Sequence, residues 1–186
     1  MKFKSMSTYT KRLPKNLIYY WAIARFLIPF FVFSFPLFTT ITADVLDRLD
    51  FLFAYNAGWS WKKYLIYDKI FDWWWYVFIL LYSYGKYIFL LILVLFIYRT
   101  IGQIITIFTE NSKLLILFPN ILELYFWLFI FLRFITPQYE FILTGSFSLV
   151  LLLICTILAV LREYYVHINS KALENFSIGK KLDKRT

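Results

Sequence analysis

The chain is poor in the residues that build disulfides and zinc sites, with one cysteine and one histidine among its 186 residues. Cys155 stands alone inside an apolar run, so it has no intrachain disulfide partner, and its setting is that of a packing residue rather than a nucleophile. His167 closes the last apolar run and reads as an interfacial bystander, which leaves no His/Cys set for zinc. Acidic residues are also scarce: 11 Asp and Glu stand against 20 Lys and Arg, for a net charge of +9. There is no internal repeat, no heptad seam and no long linker. A chain of this length has little room for a soluble module beside a membrane domain.

Apolar residues are what it has in quantity. They make up 61% of the chain and aromatics 24%, with a mean hydropathy of +0.66. Such a composition excludes an ordinary soluble domain and fits lipid-facing and interfacial surfaces. Five segments, 17–38, 65–84, 87–108, 114–135 and 141–166, approach the ~20 residues a bilayer crossing needs. The first is too long for a signal-peptide core and lacks a small-x-small cleavage site, so it reads as a retained span. A sixth segment, 40–57, is weakened by three aspartates. Trp59, Trp61 and part of the run Trp73, Trp74, Trp75 read as interfacial anchors or packing.

Orientation favours counting the sixth segment. Lys2, Lys4, Lys11, Arg12 and Lys15 precede the first span, and Lys171, Lys180, Lys181, Lys184 and Arg185 follow the last. Basic flanks mark cytoplasmic ends and attract anionic headgroups, which is the better reading than nucleic-acid binding here. Six spans place both ends inside together with Lys62 and Lys63, leaving Lys86 and Glu140 in the short outer connections. The expected fold is therefore all-α: a polytopic membrane protein of six transmembrane helices with both termini cytoplasmic. Residues 1–16 form a basic cytoplasmic segment, 17–166 the membrane domain and 167–186 a basic cytoplasmic tail. The sequon at Asn175 falls on that tail and is discounted.

Five of the six aspartates lie between Asp44 and Asp72, a stretch without glutamate. Asp47, Asp50, Asp68 and Asp72 fall as D-x2-D-x17-D-x3-D. Spacings of three and four put each pair on one helix face. The short connection at 56–61 makes the two helices antiparallel neighbours. At ~1.5 Å per residue all four carboxylates then lie roughly 9–16 Å from the cytoplasmic helix ends. Carboxylates at membrane depth cost ~3 kcal/mol each and need a partner or a function. Converging carboxylates with open positions suit hard cations such as Mg²⁺, Mn²⁺ or Ca²⁺. Two ions there could hold a diphosphate, and a carboxylate free of metal could take a proton from a hydroxyl. Arg25 and Arg99, charged within apolar spans, either neutralise an aspartate or contact an anionic ligand. Arg133 and Glu123 pair with neighbours or snorkel.

These residues resemble the CDP-alcohol phosphatidyltransferases, six-span enzymes with the signature D-x2-D-G-x2-A-R-x8-G-x3-D-x3-D. On DRLDFLFAYNAGWSWKKYLIYDKIFD the four acidic positions fall in register and Ala54 matches the alanine. Upstream, PKNLIYYWAIARFLIP is similar to the family's PN-x-x-T-x-x-R…P opening through Arg25 and Pro29. The resemblance implies Asp47, Asp50 and Asp68 as metal ligands and Asp72 as both ligand and catalytic base. The metals would be two Mg²⁺ or Mn²⁺ ions. Arg25 and Ala54 would lie at the nucleotide donor. The reaction would move a phosphatidyl or phospho-alcohol group from a CDP-linked donor to an alcohol acceptor, releasing CMP, in membrane phospholipid biosynthesis. The active site would face the cytoplasm, and the protein would pair as a homodimer. Arg99, Lys113 and Arg133 are the candidates for contacting a phosphorylated acceptor.

The match departs at three positions: the signature's two glycines are Phe51 and Tyr64, and its arginine is Tyr55. Phe51 should obstruct a cytidine diphosphate unless the helix is rotated or shifted, while Lys62, Lys63 or Lys69 could supply the missing charge. Two other readings keep the carboxylates without this chemistry: a non-catalytic homologue of the same fold, and a small cation transporter or channel component.

Overall fold

The computed structural model describes residues 14, 16–136, 143 and 147–167. Both basic ends, the connection bearing Glu140 and the sequon at Asn175 lie outside the described residues. Every regular element among those described is helical.

Helix α1, Leu17–Leu27, tightens into a 3-10 segment, Ile28–Phe33. Pro29 has no N–H to give to the carbonyl four residues back, which breaks the α-helical ladder at that point. Helix α2, Pro36–Asn56, starts with its proline in the first turn, where a missing N–H costs nothing. The expected first segment, 17–38, is thus divided, and the second helix begins at Pro36 instead of residue 40. The aspartates of segment 40–57 do not interrupt the helix. Gly58, at φ 73°, makes the turn into α3, Trp61–Ser83. Ser60 caps that helix by accepting from the Lys63 N–H at 3.3 Å, so α3 starts four residues before the expected 65.

Helix α4, Phe89–Thr109, leads into a second 3-10 segment, Ser112–Leu117. Helix α5, Ile121–Ile135, begins after Pro119 and not at 114, with Asn120 accepting from the Glu123 N–H at 3.3 Å. The Glu123 carboxylate in turn accepts from Asn120 Nδ2 at 2.7 Å, while the Asn120 backbone N–H donates to Glu163 at 3.3 Å. Helix α6, Phe147–His167, is the last described element.

The core lies between α3, α4, α5 and α6. Tyr76, Ile79, Ile92, Leu122, Phe126 and Phe129 are sealed from the surface, and Cys155 packs with them. Phe126 meets Trp75 and Tyr82 edge-on at centroid distances of 6.0 and 5.7 Å, a favoured aromatic geometry. Gly102 of α4 lies so close to the Phe118 side chain that a Cβ there would overlap it. The outward faces are apolar: Leu90, Val94, Ile97 and Ile101 on α4, and Leu149, Leu153, Ile157 and Leu161 on α6, are all exposed. Helices α4 and α6 are long and apolar enough to cross a membrane. An apolar surface of this extent marks a lipid or partner contact, not a water-facing wall.

Candidate metal centre

Helices α1, α2 and α3 bring their charged residues to one point. Asp47 and Asp50 come from α2, Asp68 and Asp72 from α3, and the Arg25 guanidinium of α1 sits among them. Its Nη2 donates to Asp47 Oδ1 at 2.8 Å and to Asp72 Oδ1 at 3.5 Å. Its Nη1 donates to Asp50 Oδ2 and lies 3.9 Å from Asp68 Oδ1. The Phe71 ring, 5.2 Å from the guanidinium carbon, and the Tyr67 ring, at 5.9 Å, face the same cation.

A second cation completes the arrangement. Lys69 Nζ is 2.6 Å from Asp68 Oδ2 and 3.0 Å from Asp72 Oδ2, and it is buried. Gln103 of α4 donates to Asp72 Oδ2 at 2.9 Å, and Tyr64 donates to Asp50 Oδ1 at 3.2 Å. Asp50 is wholly buried, which a lone carboxylate would not tolerate without such donors. Four carboxylates and two cations leave a formal charge of −2.

Asp47, Asp50 and Asp68 each present an oxygen within 4.8 Å of the others. Three hard oxygen donors this near one another could hold a divalent cation, and the residual −2 equals the charge of one such ion. Beside the cluster lies a small cleft, with about 20 Å³ of room for water, whose wall includes Arg25, Asp47, Asp72 and Glu123. Asp44, the acidic neighbour outside the signature, pairs instead with Arg48 at 2.9 Å and Arg162 at 3.7 Å.

The three positions that depart from the signature pack together. Phe51 lies edge-on to Tyr64 at 5.7 Å and parallel to Tyr55 at 6.4 Å. Phe51 is absent from the cleft wall, while Tyr64 lies against Asp50. Ala54, one turn beyond Asp50, is completely buried.

The proposed acceptor-binding cations are dispersed. Arg99 pairs with Glu163 at 2.9 Å and donates to the Phe118 carbonyl, Lys113 is exposed on the second 3-10 segment, and Arg133 donates to the Tyr82 hydroxyl. Among the described residues none of the three pairs with the four aspartates.

Gln103, Arg162 and Glu163 were not singled out by sequence reasoning, and Tyr64 and Glu123 were named there without these partners. Arg162 donates to Glu123 at 3.0 Å, closing a polar network between α5 and α6. Gln103 and Arg99 share one face of α4 four residues apart, and Arg162 and Glu163 interrupt the last apolar run. The requirement that charge at membrane depth have a partner is the signal that would have found them.

Comparison with protein-family models, with curated proteins and with solved structures finds no match for this chain.

Proposed function

We propose that the chain is an integral-membrane phosphotransferase of the CDP-alcohol phosphatidyltransferase type. It would move a phosphatidyl or phospho-alcohol group from a CDP-linked donor to an alcohol and release CMP. The observation that carries this reading is the meeting of Asp47, Asp50, Asp68 and Asp72, from two successive helices, at the edge of a cleft. The six helical segments would span the bilayer, with both basic ends and the cleft on the cytoplasmic side.

Asp47, Asp50 and Asp68 would hold a Mg²⁺ or Mn²⁺ ion. When bound, the ion supplies Lewis-acid neutralisation of phosphate oxygens. The cluster's −2 charge accommodates one such ion, and a second would enter with the anionic donor's own charge. Asp72 would take the proton of the attacking hydroxyl, a role supported by its place in the cleft wall outside the trio Asp47, Asp50 and Asp68. Lys69 and Gln103 fix its other oxygen, so its orientation does not depend on substrate. The Phe51 side chain packs on Tyr64 and Tyr55 and does not line the cleft.

A second reading, a non-catalytic homologue, is favoured by one observation: Arg25 lies within 4 Å of all four carboxylates and offsets part of their charge without an ion. Purified protein with Mn²⁺ or Mg²⁺ and a CDP-lipid separates the two. CMP release or exchange of labelled CMP into the lipid, abolished in Asp72→Asn, is the expected result. Retained metal binding without turnover of any donor favours the non-catalytic homologue. Divalent-ion flux in liposomes, lost in Asp68→Asn, removes both in favour of a transporter.

A further inference from the structure

The turn between α3 and α4 brings two cations onto one ring, away from the aspartates. Gly85, at φ 74°, turns the chain after α3, and the Lys86 N–H donates to the Ser83 carbonyl at 3.0 Å. The Lys86 ammonium folds back to donate to the Tyr82 carbonyl and lies over the Tyr82 ring, 4.1 Å from its centroid. Arg133, in the last turn of α5, reaches the same ring at 5.8 Å and donates to the Tyr82 hydroxyl. Tyr82 itself is buried, and Phe126 and Phe129 brace it edge-on at 5.7 and 6.4 Å. An aromatic face and neutral oxygens attract cations without cancelling their charge. Burial and the neighbouring Arg133 charge hold the Lys86 ammonium below the usual lysine range. An anion that meets both cations relieves their repulsion.

We propose that Lys86, Arg133 and Tyr82 form a site for the phosphate of an anionic lipid headgroup. Tyr82 lies roughly 15 Å along α3 from Asp72, at ~1.5 Å per residue, so the site is separate from the candidate metal centre. Its level argues for a lipid over a soluble anion. Lys86 stands three residues before α4, which is long and apolar enough to cross a membrane, and so falls where headgroups lie. Tyr84 and Leu90 beside Lys86 in the chain, and Phe134 and Ile135 beside Arg133, are exposed and offer apolar surface to the rest of a lipid. A single lysine at a membrane boundary snorkels; two cations held on one buried ring are preorganised for one phosphate. Ammonium and guanidinium groups carry more N–H donors than Tyr82 takes up, and phosphate oxygens accept them. The proposal needs α4 to cross a membrane and does not depend on the phosphotransferase reading.

The test is lipid retention by the full chain in detergent, counted by native mass spectrometry and titrated through thermal unfolding. Phosphatidylglycerol should bind and raise the unfolding temperature. Phosphatidylcholine, whose ammonium offsets the phosphate charge, should bind more weakly. Lys86→Gln should weaken phosphatidylglycerol about fivefold, and the double change with Arg133→Gln about twenty-fivefold. Lys63→Gln removes the same charge near the opposite end of α3 and should leave the titration unchanged. Lys86 lies in a turn, so Lys86→Gln keeps the test decisive if the double variant fails to fold. Equal binding of the two lipids, an equal loss in Lys63→Gln, or displacement of phosphatidylglycerol by millimolar inorganic phosphate overturns the proposal. Labelled-CMP exchange measured alongside keeps the two readings apart. Absent exchange with intact lipid binding removes the phosphotransferase and leaves this site standing. Present exchange without lipid selectivity removes this site alone.

Discussion

The Tyr64 hydroxyl donates to Asp50 Oδ1 at 3.2 Å, from the position where the resembled signature carries a glycine. The phenol therefore holds an oxygen that the signature leaves free. Tyr64→Phe removes that donor while preserving the contact with Phe51. The expected result is a stability loss of about 1 kcal/mol and several-fold tighter Mn²⁺ binding, measured by unfolding in detergent and by metal titration. Unchanged or weaker metal affinity would mean that Asp50 is not a ligand.

Arg25 stands in for positive charge at the cluster. Arg25→Gln leaves four carboxylates with Lys69 alone, and loss of one partner of a buried ion pair costs about 3–5 kcal/mol. The unfolding temperature should fall steeply and recover in part on adding millimolar Mg²⁺ or Mn²⁺. A fall that no divalent ion reverses contradicts the metal assignment.

The Arg99–Glu163 pair is buried on both sides, at side-chain exposures of 4% and 5%. Arg99→Met alone should destabilise by about 3–5 kcal/mol, whereas the double change with Glu163→Leu should come close to the parent. A thermal double-mutant cycle reads the difference. The double variant should also keep CMP exchange, because Arg99 is occupied by Glu163 and not by substrate.

Gly102→Ala places a methyl group against the Phe118 side chain. Overpacking of this kind costs about 1–3 kcal/mol, and the loss should appear as a lower unfolding temperature with unchanged metal affinity. A neutral result would show that Phe118 moves freely.

The aspartates were legible from sequence because two rules acted together. Three- and four-residue spacings fix a helix face, and a charge in an apolar chain must find a partner. The segment 40–57 was counted on a different ground: despite its poor hydropathy, a sixth segment brings both basic ends to one side. What spacing could not convey was the partner's identity. Arg25 is 22 residues or more from the carboxylates it contacts, and only packing of α1 against α2 and α3 brings it there. The division of the first apolar run was obscured because Pro29 and Pro36 sit in an otherwise unbroken hydrophobic stretch. Arg99 was drawn toward the cleft by its charge, but α6, whose Glu163 claims it, is joined to the rest by no local signal.

One feature of α1 bears on how a ligand would meet Arg25. The Trp21 indole donates to the Leu46 carbonyl of α2 at 3.0 Å, and the Trp74 indole of α3 donates to the Phe26 carbonyl at 2.9 Å. These two stitches flank Arg25 on its own helix, one to each aspartate-bearing neighbour. A turn fastened on both sides has little conformational freedom left to surrender. Binding beside it therefore meets a preorganised wall and loses little entropy in ordering it.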